Sequence, residues 1–155
     1  MCLTVKYVPT TKSGNLLLCK VLKYINYSSH SQCYITPYFY SRIPKNGWLI
    51  PSSPQKIKEF YLDRQIDGGY IHAYDFSEQR LDDSNSHSMM VEAYAFNIKA
   101  YGNNNDLICA ALYIPYCDKE KSDETLKTIE GLLKKGAKLS RKDVVKAFPK
   151  IKGVL

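Results

Sequence analysis

The sequence MMVEAYAFNIKAYGNNNDLICAALYI, residues 89–114, predicts a β-hairpin around which the rest of the chain can be arranged. Its first half alternates, and Met90, Tyr94, Phe96 and Ile98 fall close to one face of a strand. The GNNND segment supplies residues that tolerate positive φ, so the chain can reverse direction there. The run LICAALYI is nearly all apolar, which is typical of a strand in the centre of a sheet.

Further strands precede the hairpin, and they are rich in Val, Ile, Leu and Tyr. The chain has 13 tyrosines and 5 phenylalanines, and Tyr suits half-buried sheet surfaces because its ring packs while its hydroxyl reaches water. The predicted strands are CLTVKYV (2–8), NLLLCKVLKY (15–24), QCYITPYFY (32–40), a short strand at 47–50, and GYIHAYDF (69–76).

One segment before the hairpin, PSSPQKIKEFYLDRQI (51–66), has a helical pattern instead. Ser53 can cap a helix and Pro54 suits the first helical position. Ile57, Phe60 and Tyr61 then share one helical face. We expect this helix to pack on the sheet.

The pattern changes to helix again after Ser122. Leu126, Ile129, Leu132 and Leu133 fall at helical spacing, Gly136 can end that helix, and Ser140 can cap a second one, RKDVVKAF. The expected fold is therefore α+β: a mainly antiparallel, Tyr-rich β-sheet with one packed helix and a C-terminal helical hairpin. We expect a β-rich body over 1–118 and a basic helical extension over 119–155, docked on that body.

Charge is concentrated in the C-terminal helices. The chain carries a net charge of +7, and residues 1–125 contribute 13 basic and 13 acidic side chains, which cancel. The excess therefore lies in 126–155, where basic residues near a helix N-terminus can meet phosphates. The predicted binding residues for nucleic acid or an acidic protein are Lys134, Lys135, Lys138, Arg141, Lys142 and Lys146.

Several classes of protein are not indicated by the composition. The longest apolar run is too short to span a bilayer and no secretory signal is recognisable, so we expect no membrane association and a cytoplasmic location. The five cysteines and three histidines show no close pair of the kind that zinc sites use, so we expect no metal site and mostly buried, reduced thiols. No glycine-rich phosphate loop occurs, and no cofactor is expected.

Four short motifs, MCLTVK, LCKVL, GGYIHAYDF and ALYIPYCD, together resemble a loose group of small uncharacterised proteins of Bacteroides-type gut bacteria and their phages. The likeness covers roughly 1–118, and Ile71 is an insertion relative to the simplest Gly-aromatic-His form. It implies kinship, with a phage or mobile-element origin, and no mechanism. The matching residues are Met1, Cys2, Leu3, Cys19, Lys20, Val21, Leu22, Thr36, Pro37, Tyr38, Gly69, His72, Ala73, Ile114 and Pro115.

Cys2 is a first candidate for catalysis. Removal of Met1 would leave a thiol beside a free α-amine, an arrangement in which the amine can act as base for the nucleophile. The apolar residues that follow, beginning with Leu3, read instead as a strand that packs into a core. A structural role for Cys2, as the first residue of that strand, is favoured.

His72 is a second candidate for catalysis. Strand alternation places Tyr70, His72 and Tyr74 on one face, where an imidazole between two phenols can act as an acid or base or can stack on a nucleotide. With Glu92 nominated as the later catalytic glutamate, this set has the residue types of an ADP-ribosyltransferase site. The alternative is a hydrogen-bonded structural histidine.

From these patterns the leading expectation is an accessory or interaction protein without enzymatic activity, which binds an acidic protein or nucleic acid through its basic C-terminal helices. The alternative is a small enzyme, either ADP-ribosyltransferase-like around His72 or an N-terminal-cysteine hydrolase at Cys2. The oligomeric state is left open.

Overall fold

The structure is a computed structural model, and it describes residues 3–76 and 88–155. The α+β fold is confirmed, with antiparallel ladders and a C-terminal pair of helices. The strands are β1 (Leu3–Thr4), β2 (Leu18–Ser28), β3 (Cys33–Ile35), β4 (Trp48–Leu49), β5 (Gln65–Ile66), β6 (Ile71–Asp75), β7 (Met89–Tyr101) and β8 (Asp106–Tyr113); the helices are α1 (Ser122–Leu133) and α2 (Arg141–Ala147).

The predicted hairpin is formed by β7 and β8. Asn104 and Asn105 take positive φ values of 58° and 62° at the turn, as short polar side chains tolerate. β8 is central as predicted, since it pairs with β4, β6 and β7 and is buried from Leu107 to Tyr113.

A bulge in β7 changes the predicted shared face. The amides of Asn97 and Ile98 both donate to the backbone oxygen of Leu17, and Asn97 has a φ of 61°. Such a bulge bends and twists the strand locally. As a result Phe96 packs beneath the C-terminal helices, whereas Ile98 packs in the cluster between the strands.

Four antiparallel strands close on themselves. β2 pairs with both β6 and β7, and β8 pairs with the same two strands. Ala73, Ala93 and Ala95 belong to the buried cluster of these strands, and small side chains suit the narrow space that a ring of few strands encloses.

The ladder between β2 and β6 is short. It contains two pairs, Val21 with Asp75 and Leu22 with Tyr74. Beyond Leu22, β2 continues along β7 and then pairs with β3. β2 and β6 therefore separate from Lys23 onwards, and a cavity lies at this separation.

The C-terminal helices complete the core. Ile129, Leu132, Val144, Phe148 and Ile151 are buried, and they belong to one cluster with side chains of β4, β7 and β8. Positive φ at Gly136 and a capping box between Ser140 and Asp143 place the two helices, as their sequence predicts.

The predicted helix over 51–66 is wrong. The segment is irregular until β5, which pairs with β1. Its amides find partners elsewhere in the fold, since Ile57 donates to the hydroxyl of Tyr70 and Asp63 donates to the backbone oxygen of Val5. Tyr61 is 61% exposed, so the expected apolar face does not form.

Candidate functional site

A cavity of about 500 Å³ lies where β2 separates from β6. Most of its lining comes from three irregular segments that surround the two strands. The lining residues are Lys23, Tyr24, Thr36, Pro37, Tyr38, Phe39, Ser41, Arg42, Leu49, Ile50, Pro51, Ser52, Ser53, Asp67, Gly68, Gly69, Tyr70, Ile71, His72 and Tyr74. The walls are largely aromatic or aliphatic, and few charged groups face the space, as is usual for small-molecule sites.

Lys23 places an amine at this cavity. It is the first residue of β2 beyond the ladder with β6, and its Nζ donates to the backbone oxygen of His72 at 2.6 Å. The ammonium thus supplies this carbonyl with a donor. Burial lowers the pKa of Lys23 to about 8, against an opposing effect of the nearby Cys109 sulfur.

Lys23 forms no ion pair with any carboxylate of residues 3–76 and 88–155. Asp67 is the acid on the described lining, but it is exposed and beyond ion-pair distance of the amine. A buried cation without a counter-ion is costly. This makes Lys23 the most unusual charged group among the described residues.

His72 faces the cavity from β6. It is 8% exposed, and neither of its ring nitrogens has a hydrogen-bond partner within residues 3–76 and 88–155. Burial and then the positive charge of Lys23 lower the pKa of His72 to about 4. The imidazole is therefore neutral near pH 7 and offers one donor and one acceptor to whatever enters.

Cys109, close to Lys23 in the interior, stays a thiol. Its Sγ donates to the backbone oxygen of Ala111 at 3.3 Å, and burial raises its pKa to about 12. A thiol held in the protonated form is a poor nucleophile. Cys33 and Cys117 are also buried and free, as predicted for most of the cysteines.

The other predicted catalytic residues are dispersed. Tyr70 lines the cavity beside His72, and its hydroxyl accepts from the amide of Ile57 at 3.3 Å. Glu92 lies on β7, where it pairs with Lys20 at 3.1 Å, and it does not line the cavity. Cys2 lies outside the described residues. The structure thus brings Tyr70 and His72 together and leaves Glu92 apart from them.

The six predicted basic residues are exposed on the helical hairpin. Lys135 is paired with Asp143 at 2.8 Å, and Arg141 donates to the backbone oxygen of Lys152 at 3.1 Å. The side chains of Lys134, Lys138, Lys142 and Lys146 have no carboxylate within ion-pair distance among the residues that the structure describes.

A second cavity, of about 610 Å³, lies beside the start of α1. Four lysines line it, together with the rings of Tyr27, Tyr34 and Trp48. These lysines are Lys45, Lys119, Lys121 and Lys150. Two acids also line it, Asp118 and Glu120. Asp118 is engaged internally, since it accepts from the hydroxyl of Tyr113 at 2.6 Å.

Lys23 and Arg42 were not singled out from the sequence. The available signal was a lysine within the apolar strand LCKVLKYI, two residues after Val21 and therefore on the same side of the strand. Such lysines usually reach solvent at a strand edge, so the pattern alone did not indicate a buried amine. The separation of β2 from β6 places it inside.

Comparison of the chain with family models, with curated proteins and with solved structures gives no match. The resemblance to the Bacteroides-type group stays a prediction. Thr36, Pro37, Tyr38, Gly69 and His72, on which that resemblance partly rests, all line the first cavity.

Two further observations bear on the class of protein. Within the described part of the chain, no helix is long and apolar enough to cross a membrane. In the same residues, no three His, Cys, Asp or Glu side chains are grouped as metal ligands.

Proposed function

We propose that the protein binds a small anionic molecule with an apolar or aromatic body in the cavity between β2 and β6. The observation that carries this proposal is the buried Lys23 amine, which faces the cavity without a carboxylate partner among the described residues. A bound anion would supply the missing counter-charge.

The walls of the cavity suit the rest of such a molecule. Pro37, Phe39, Leu49 and Ile50 offer apolar surface, and Tyr24 and Tyr38 offer ring faces and edges. The neutral imidazole of His72 adds a donor and an acceptor that have no partner in the part of the chain that the structure describes. A buried polar group without a partner has a free-energy cost that a ligand can remove.

Matched small molecules test the proposal. Benzoate, benzamide and benzylamine share a ring and differ in charge, and their binding is measured by ligand-observed NMR and by calorimetry. We expect benzoate to bind at least about tenfold more tightly than benzamide, because a charge-assisted hydrogen bond is the stronger one. Benzylamine should not bind.

Two variants locate the interaction. Lys23→Met should abolish the preference for benzoate. Lys99→Met should keep it, because Lys99 is another largely buried lysine whose pKa burial lowers, but it does not line the cavity. Equal binding of benzoate and benzamide, or an undiminished preference in a folded Lys23→Met protein, would refute the proposal.

As a second candidate we propose that a polyanion, single-stranded nucleic acid in particular, binds the basic face formed by the helical hairpin and the second cavity. Its support is the set of exposed lysines that have no acidic partner among the described residues, together with the tyrosine rings of the second cavity. Aromatic rings next to basic groups can stack on bases while the cations neutralise phosphates. A cytoplasmic location belongs to the same proposal, and the free buried thiols support it.

Fluorescence anisotropy of a labelled oligonucleotide, measured across a salt series, tests this second candidate. Binding should weaken steeply with salt, and Lys134→Glu with Lys142→Glu should weaken it further. Point changes are preferable to deletion of the hairpin, because residues of both helices are part of the core. A salt-independent signal, or none in the native protein, would exclude the candidate.

A further inference from the structure

Among the described residues that line the first cavity, Lys23 is the single lysine. Its Nζ is held at the backbone oxygen of His72, and the residue is partly buried. An amine placed in this way can serve as a nucleophile as well as a counter-charge, because burial favours its neutral form.

The neighbouring groups fit that chemistry. His72 lines the same cavity, and both nitrogens of its neutral imidazole are buried without a partner among the described residues, so it can accept a proton at one nitrogen and release one from the other. Arg42 adds an exposed cation to the lining, which can hold an anionic group while Lys23 reacts elsewhere on the molecule. Cys109 does not compete as a nucleophile, because it is buried as a thiol.

We propose that the small anion is a carbonyl compound, an aldehyde or ketone that also carries a carboxylate or similar group, and that Lys23 forms an imine with its carbonyl carbon. This inference rests on the proposed binding function and names its substrate class.

The steps balance without a further reactant. The Nζ lone pair forms a bond to the carbonyl carbon while the carbonyl π pair moves to oxygen. A proton passes from nitrogen to that oxygen and gives a carbinolamine. The second proton of the nitrogen then passes to the same oxygen, which leaves as water, and the nitrogen lone pair completes the C=N bond of a neutral imine. We assign the movement of both protons to His72, which lines the same cavity as Lys23.

Reductive trapping tests the inference on the native protein. The probe is 4-formylbenzoate at pH 8 with cyanoborohydride, which reduces imines to stable amines, and the modified lysines are identified by peptide mass spectrometry. At this pH about half of the Lys23 amine is neutral, against less than about 1% of an ordinary exposed lysine. Because a less basic amine is also a weaker nucleophile, we expect Lys23 to react about tenfold faster than Lys142.

Three controls separate the causes of labelling. Lys99 reports whether a buried lysine outside the cavity reacts as fast. Benzoate, which lacks the carbonyl, should protect Lys23 and leave Lys142 unaffected. Lys23→Arg should lose the fast labelling at residue 23 while its circular dichroism spectrum stays native. If that variant does not fold, the comparison of labelling rates among the lysines of the native protein still tests the inference.

The outcomes distinguish the two proposals. Fast, benzoate-protected labelling of Lys23 supports both. Labelling of Lys23 no faster than that of Lys142, with benzoate binding intact, overturns the imine and leaves the binding function standing. If Lys23 is not labelled and benzoate does not bind, both proposals fail.

Discussion

Replacement of Lys23 by Met should remove a rise in stability at alkaline pH that we expect of the native protein. Burial holds the pKa of Lys23 in the folded protein at about 8, whereas the ordinary value of 10.5 applies to the unfolded chain. Between these values the unfolded chain binds more protons than the folded protein, so the free energy of unfolding increases as pH rises. The linkage relation with these two pKa values gives a gain of about 2.5 kcal/mol between pH 7 and pH 10.

Urea denaturation at pH 7, 8, 9 and 10 measures this gain, with the fluorescence of Trp48, the one tryptophan of the chain, as the signal. Burial raises the pKa values of other groups, including Tyr101 and Cys117, and these lower the stability at high pH in both proteins. The quantity to compare is therefore the free energy of unfolding of the native protein minus that of the Lys23→Met protein at each pH.

The lost hydrogen bond to the backbone oxygen of His72 lowers the stability of the Lys23→Met protein by a similar amount at every pH, so it does not affect the slope. Lys142→Met, at an exposed position, should behave as the native protein does. A native-minus-Lys23→Met difference that stays flat within about 0.5 kcal/mol from pH 7 to pH 10 would show that Lys23 is solvated and that the reasoning is wrong.

Three further predictions concern other parts of the fold. Because His72 has a folded pKa of about 4 against 6.5 ordinarily, its burial should cost the native protein about 2 kcal/mol of stability between pH 7 and pH 5; urea midpoints should show that His72→Asn loses this part of the acid sensitivity, and that His30→Asn, at an exposed position, keeps it. Gly47 has a φ of 77°, and a Cβ there would lie 2.6 Å from a backbone oxygen just after β8. Gly47→Ala should therefore lower the free energy of unfolding, measured in urea, by about 3 kcal/mol. Gly14→Ala, where φ is 83° and the space is open, should lower it by about 1 kcal/mol. Ser140→Ala should cost about 1 kcal/mol in the same assay through loss of the capping box of α2, and an unchanged urea midpoint would show that the cap contributes little.

Elements with local signals were predictable from the sequence. The asparagines of the β7–β8 turn adopt the positive φ that their short side chains permit, and Ser140 with Asp143 forms the cap that the spacing indicates. In these cases the residues that specify the conformation are also the residues that adopt it. Hydrophobic alternation and capping therefore suffice without knowledge of the rest of the chain.

The segment 51–66 shows where local patterns fail. A proline, a serine cap and spaced apolar residues favour a helix, yet tertiary partners compete for the same backbone groups. Ile57 donates to Tyr70 and Asp63 to Val5, and Gln65 and Ile66 are paired with β1. Long-range hydrogen bonds that satisfy the backbone can outweigh helix propensity, because propensity amounts to a few tenths of a kcal/mol per residue.

The candidate site also has a part that the local sequence predicts and a part that it does not. The pattern GGYIHAYDF was enough to place Tyr70 and His72 on one face of a strand, because strand alternation is a local property. Whether a lysine on β2 meets that strand depends on where β2 and β6, about 50 residues apart in sequence, stop pairing, and their last pair is Leu22 with Tyr74. The pattern of apolar and polar residues along the sequence does not indicate where that ladder ends. The buried amine, the unpartnered imidazole and the cavity between them are therefore consequences of the assembled sheet, and they could be found only there.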